Sequence, residues 1–431
     1  MNRYFNEKSN YDKYPVVNVP GMEEECRVGW RAISDRLEKN LSQIGKKVKV
    51  VVLECYQGVS DEEVVTALQS AFPASRWFFS ADAMKSPEQI DAILKQDITE
   101  DEIFGYMTRQ NMDCYFDGDK LPGIRSEIAA VTEGIVFVYG VGAAYVQPSY
   151  DLLVYADMAR WEIQMRFRRN EVSNVGISNR EERASLQYKR AFFVDWRICD
   201  RFKKKLIKKW DYVLDTNTAG NPKMATAKAI EAGLEKASRT PFRVVPFFDP
   251  GPWGGQWMKE VCDLDREVPN FAWCFDCVPE ENSLYLGFGD VRFELASIDL
   301  VFAYPARLLG NPVYGRFGDE FPIRFDFLDT MEGGNLSLQV HPLTQYIQEK
   351  FGMHYTQDES YYMLDAAEDA TVYLGVKEGI EPEEMIDALN EAQESGCFDA
   401  EKYVGRYPVK KHDHLLIPAG TIHCSGTNGM V

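Results

Sequence analysis

The sequence predicts a multidomain protein in which an α/β domain with a parallel sheet precedes a domain of short strands forming a sandwich or barrel. Three observations carry this. Between about residues 46 and 240, β-branched runs alternate with segments of helical periodicity. The stretch Phe242–Met258 (FRVVPFFDPGPWGGQWM), rich in Pro, Gly and aromatics, then marks a change of texture. Beyond it, short strand-like runs are separated by turn residues. A chain of 431 residues has room for two or three such cores. With 45% apolar and 27% charged residues it falls outside the disordered, collagen-like and membrane classes.

In chain order, residues 1–45 read as a polar lead-in followed by an amphipathic helix around Gly29–Leu41. Residues 46–240 form the α/β domain. Its first strand is Val48–Leu53, followed by the turn Glu54–Ser60 and the helical DEEVVTALQSAF; Ile135–Tyr139 and Leu152–Tyr155 are further buried strands. Residues 241–431 form the β domain, with strands expected at Ser283–Gly287, Val291–Leu295, Phe321–Phe327, Leu336–Val340, Tyr361–Leu364, Thr371–Leu374 and His414–Ile417. One helical insertion interrupts them, with Pro382 near its start and Met385, Ile386 and Leu389 as its apolar stripe.

Charge and cysteine usage narrow the partners. A net charge of −19 repels phosphate backbones, which argues against nucleic acid as a partner. The start of the chain has no apolar signal region, and the longest apolar stretch, Gly134–Val146, is too short to span a bilayer, so no membrane association is expected. Nine scattered cysteines fit a reducing, cytoplasmic setting. The single CxxC, Cys274–Cys277, lies in an aromatic strand-like run and reads as structural. The basic run Arg201–Lys209 has apolar residues at helical spacing and reads as a solvated helix face.

The turn at 54–60 sits where a phosphate-binding loop would lie, yet it has one glycine, Gly58, no lysine, and acids at Glu54 and Asp61. Around it, Tyr139-Gly-Val-Gly-Ala-Ala, Asp151–Asp157, the arginines 160, 166, 168 and 169, and Phe193–Arg197 resemble uridine-kinase-like nucleoside kinases. That resemblance implies a degenerate P-loop-kinase-like α/β domain, a fold relic or regulatory module without phosphotransfer.

All five histidines, at 341, 354, 412, 414 and 423, lie toward the end of the chain, with none in the first 340 residues. Asn335–Pro342 (NLSLQVHP) alternates, placing Ser337, Gln339 and His341 on one face and Leu336, Leu338 and Val340 toward the core. Glu359 begins the next strand, with Asp358 as its competitor, and Ile417–His423 is a strand, a tight turn and a histidine. Gln339, His341, Glu359 and His423 together suit a borderline divalent ion such as Zn²⁺ with an open position. His412 and His414 form a rival pair, and His354 reads as a surface residue.

The ordered motifs NLSLQVHP, DESYYMLDA, TVYLGVKEG and HDHLLIPAGTIHCSGTN, with FGDEFPIRFDFLDT and PWGG upstream, resemble type I mannose-6-phosphate isomerase, a zinc-dependent cupin enzyme. The resemblance covers roughly residues 250–431. It implies an all-β cupin (jelly-roll) barrel with a helical insertion and one Zn²⁺ per chain on Gln339, His341, Glu359 and His423. Ser337 and Lys377 would stand near a sugar-phosphate substrate. The implied activity is interconversion of mannose 6-phosphate and fructose 6-phosphate through an enediol, with the catalytic base unassigned. The alternative is a non-catalytic, metal-containing sugar-phosphate-binding or regulatory protein. The family's lysine two residues before the glutamate ligand is here Gln357, and its further strand and arginine after His423 have no counterpart before Val431.

Overall fold

The computed structural model describes residues 8–431; the first seven residues of the lead-in lie outside the described residues. The described chain is a multidomain α/β protein with six sheets, divided into two compact units. One unit comprises Tyr14–Val245 and Cys277–Arg324; the other comprises the segment ending at Lys13, Pro246–Asp276 and Phe325–Val431.

The larger unit is built on a seven-stranded sheet. Its order is Cys26–Val28, Lys223–Thr226, Tyr212–Asp215, Leu152–Asp157, Val48–Cys55, Gly134–Gly140, Arg76–Phe79. The last five are mutually parallel, and the first two are antiparallel additions. The β-branched run of Val48–Cys55 is central, and Val51, Val52 and Leu53 are buried on both sheet faces, as a parallel strand between helical layers requires. Helix Trp30–Gln43 turns Ile33, Leu37 and Leu41 inward at i, i+4 and i+8 spacing. Helix Asp61–Ala71 starts at Ser60, whose hydroxyl accepts from the Glu63 amide at 3.4 Å.

Two strands leave their expected place. Ser283–Phe288 and Val291–Ala296, read from sequence among the barrel strands, form a three-stranded sheet with Val16–Asn18. The cause is burial: Leu284, Leu286, Phe288, Phe293 and Leu295 join the core of the α/β sheet. Gly233 makes room for this, because a Cβ there would lie 2.5 Å from Leu286 Cδ1. The basic run differs too. Lys203 is fully buried on helix Trp196–Leu206, bonded to Asp157 at 2.6 Å and Asp299 at 2.8 Å, so it is no solvated face residue.

The smaller unit is made of short, mostly antiparallel strands. Glu359–Tyr362 pairs with His414–Ile417, and Thr371–Val376 lies between Val404–Pro408 and His423–Ser425. Phe247–Asp249, Trp273–Cys277 and Phe325–Leu328 form a further sheet. Helix Pro382–Ser395 interrupts the strands where the sequence placed an insertion; Met385 is buried, while Ile386 and Leu389 remain exposed. Leu336–Val340 is extended without being a regular strand. It touches the sheet at Leu336, whose amide donates to Ser425 O, and at an isolated bridge between Gln339 and His423. Val340, expected in the core, is 49% exposed. All nine cysteines are free thiols, and among the described residues no helix is long and apolar enough to cross a membrane.

Candidate metal centre

Backbone pairing alone brings the four predicted ligands together. Gln339 and His423 exchange both backbone hydrogen bonds, at 3.0 and 2.9 Å. The turn Pro418–Thr421 uses Gly420 at φ +86, and the Gly420 amide donates to His341 O at 2.7 Å. Thus the turn that delivers His423 also fixes the backbone of His341. Asp358, the competitor of Glu359, accepts from the Ala419 amide at 2.9 Å and supports the same turn. Glu359 pairs with Ile417 across the ladder, and Tyr361, two residues on, shares its face. The Tyr361 ring meets the His423 imidazole edge to face, with centroids 5.8 Å apart.

The side chains converge on one point. His423 Nε2 lies 2.9 Å and His341 Nε2 3.5 Å from Glu359 Oε2. Ligand atoms of these three residues all fall within 4.8 Å of one another. Among the described residues, this is the one group of at least three His, Cys, Asp or Glu side chains so arranged. The imidazole rings stand nearly perpendicular, at 84°, with centroids 5.1 Å apart. Gln339 Nε2 lies 3.4 Å from His423 Nε2, and rotating its amide would turn the oxygen inward instead.

The donor chemistry fits a cation. His423 Nδ1 is 2.9 Å from the Thr421 carbonyl, which only accepts, so Nδ1 carries the hydrogen and donates. In a neutral ring Nε2 then presents a lone pair to Glu359 Oε2, which is buried and finds no donor of acceptable geometry. Two lone pairs face each other unless a proton or a metal ion lies between them. Burial pulls the His423 pKa down, but Glu359 and Thr421 outweigh it and the net shift is upward. Burial lowers the pKa of His341, with Glu359 acting against it. Two imidazole nitrogens, a carboxylate oxygen and an amide oxygen form a set suited to zinc.

The other sequence candidates are not among the converging side chains. Ser337 is exposed on the extended segment, and the Lys377 ammonium donates to the Glu401 carbonyl. His412 has φ +75 and bonds the Tyr362 hydroxyl at 2.8 Å, while His414 faces Tyr362 across the ladder; both are exposed. His354 is exposed as well. One group escaped the sequence reading: Asp326, on strand Phe325–Leu328. Burial, and then the charge of Glu359, raise its pKa to about 6. Its only sequence signal was its place in the motif FGDEFPIRFDFLDT.

Comparison with known proteins divides along the chain. A family model described as "Domain of unknown function (DUF8485)" matches residues 29–239. Among curated proteins, the mannose-6-phosphate isomerase of Streptococcus mutans is 26% identical over 186 residues, covering 42% of this chain and 52% of that protein. The Bacillus subtilis mannose-6-phosphate isomerase is 25% identical over 190 residues, 42% of this chain and 53% of that protein. The chain thus spans about half the length of the curated relatives it matches. Among solved structures, the crystal structure of mannose 6-phosphate isomerase from Bacillus subtilis aligns with a TM-score of 0.36 and 22% identity, over 44% of this chain and 57% of that one. A zinc-bound mannose 6-phosphate isomerase structure aligns with a TM-score of 0.33 and 13% identity, over 44% of this chain and 66% of that one. At low identity, over less than half of its length, the chain is homologous to mannose-6-phosphate isomerases.

Proposed function

We propose that the smaller unit is a cupin-like, metal-dependent aldose–ketose isomerase domain acting on mannose 6-phosphate and fructose 6-phosphate. The observation that carries this is the convergence of Glu359 with two imidazole nitrogens, one of them locked by Thr421 with its lone pair inward. The distant homology to mannose-6-phosphate isomerases supports the choice of reaction. Gln339, His341, Glu359 and His423 would hold one Zn²⁺ per chain. When bound, the ion supplies Lewis-acid polarisation of the sugar oxygens, which acidifies the proton on the adjacent carbon.

The chain's own residues do the rest. Isomerisation moves one proton between C1 and C2 through an enediol, which needs a carboxyl group able to take it and return it. Asp326, held by burial at a pKa of about 6 beside Glu359, is suited to that work. Tyr361 packs its ring against the His423 imidazole. In this reading Ser337 and Lys377 flank the sugar phosphate, once Lys377 releases the Glu401 carbonyl. The larger unit is a kinase-like α/β module without phosphotransfer, and nine free thiols suit a cytoplasmic protein. A second reading, a metal-containing sugar-phosphate-binding protein without turnover, is favoured by Gln357 in place of the family's lysine and by the engaged Lys377. A coupled assay for fructose 6-phosphate formation, with and without chelator, separates the two. Chelator-sensitive turnover supports the isomerase. Stoichiometric zinc with no turnover supports the second reading.

A further inference from the structure

The larger unit contains a cleft of about 970 Å³ that the metal-centre chemistry does not use. It lies at the carboxyl ends of Val48–Cys55 and Gly134–Gly140. From the first of these strands the chain crosses to Arg76–Phe79 on one side; from the second it crosses to Leu152–Asp157 on the other. In open α/β sheets this reversal is where ligands bind.

The cleft is built rigidly. The turn at its base is tied down by Arg166, which donates to Gly58 O and Thr216 O at 2.7 Å each. One wall, residues 171–180, has no helix or strand. It is fixed instead by the fully buried carboxylate of Asp195, which accepts from Asn174 Nδ2 at 2.8 Å, the Val175 amide at 3.3 Å and Tyr115 Oη at 2.5 Å. Asp195 ends a π-helical turn, Ala191–Asp195, a distortion found often at functional sites. Those three bonds offset the cost of burying the carboxylate and hold the irregular wall in place.

The cleft disfavours phosphate, because both of its cations are engaged: Lys85 donates to Cys114 O at 2.9 Å and to Phe116 O, and the charge of Arg180 acts on Asp61. The turn offers no lysine, and the backbone amides of Gly142 and Ala144, which could cradle an oxyanion, both donate to Glu54 at 2.7 Å. Asp61 and Glu62 add negative charge to its lining. What the cleft does present is the side chain of Phe79, the Ser80 hydroxyl, and Asp61, whose Oδ1 accepts from Tyr139 at 2.8 Å. The charge of Arg180 faces that same carboxylate. Gly140, at φ +118, lets the backbone pass Ser80, where a Cβ would lie 2.5 Å from Oγ. A carboxylate, a guanidinium and a hydroxyl beside an aromatic ring can bind vicinal hydroxyls on one side and a C–H face on the other.

We propose that this cleft binds an unphosphorylated sugar, at a second site independent of the metal centre. The test uses the full chain, stripped of metal by chelator, with D-mannose, D-fructose, D-glucose and D-ribose as probes in calorimetry and saturation-transfer NMR. At least one free sugar should bind saturably, Asp61→Asn should cost about tenfold in its affinity, and any binding of its 6- or 5-phosphate that Asp61→Asn removes should be about tenfold weaker or worse. Ser80→Ala provides a second variant should Asp61→Asn misfold. The proposal is overturned if no free sugar binds, if Asp61-dependent binding of the phosphate is as tight as that of the sugar, if ATP binds in competition with the sugar, or if folded Asp61→Asn and Ser80→Ala both bind normally.

Discussion

Replacing Glu359 by glutamine isolates the metal centre in a single perturbation. The substitution keeps the shape of the side chain but removes the negative charge on which both imidazole nitrogens converge. A bound ion stabilises the folded chain by RT ln(1 + [Zn]/Kd), about 2.7 kcal/mol when zinc is 100 times Kd. For a unit of this size that corresponds to roughly 5–10 °C in unfolding midpoint. Losing the anionic ligand should raise Kd by about two orders of magnitude, so the same zinc concentration would then add only about 0.4 kcal/mol, or roughly 1 °C. Scanning calorimetry of chelated and zinc-loaded protein reads this directly. A wild-type shift that collapses in Glu359→Gln supports the site. An undiminished shift in the variant, or none in the wild type, refutes the reasoning.

Other outcomes follow from the same contacts. Burial raises the pKa of Glu54 to about 8, and of Glu281 and Glu294 to about 7, so the folded state holds protons that the unfolded chain releases. Their stabilising contribution is complete at low pH and is lost as pH rises through those values. Denaturant titration should therefore find the larger unit several kcal/mol less stable at about pH 9 than at about pH 6. Lys203→Ala leaves Asp157 and Asp299 buried without their cation and should cost about 3–5 kcal/mol in the same assay. Gly142→Ala, at φ +77 with a Cβ that would meet Phe116 at 2.6 Å, should destabilise by about 1–3 kcal/mol. Cys277→Ser should leave zinc content unchanged by elemental analysis, since no cysteine belongs to the converging group.

The convergence of Gln339, His341, Glu359 and His423 is more legible in the sequence than the fold around it. Gln339 and His341 stand in a short motif, and a Pro-x-Gly turn dictates how the chain enters His423, so local spacing carried most of the information. The strands at 283–296 were placed with the wrong neighbours because composition says nothing about long-range pairing; their partner, Val16–Asn18, is some 270 residues away. The sequence shows Glu54 as an acid where a phosphate loop would lie, but its bonds to Gly142 and Ala144 depend on a turn nearly ninety residues downstream. Asp326 and the Asp195 network stayed hidden for a similar reason. A carboxylate looks solvated in a sequence until the fold buries it.

Anomalous diffraction at the zinc edge, on crystals of the full chain grown with zinc, tests the central claim most directly. A single peak should lie between Glu359 Oε2, the Nε2 atoms of His341 and His423, and the side-chain oxygen of Gln339. No peak there, or one at His412 and His414 or at Cys274 and Cys277, would contradict it.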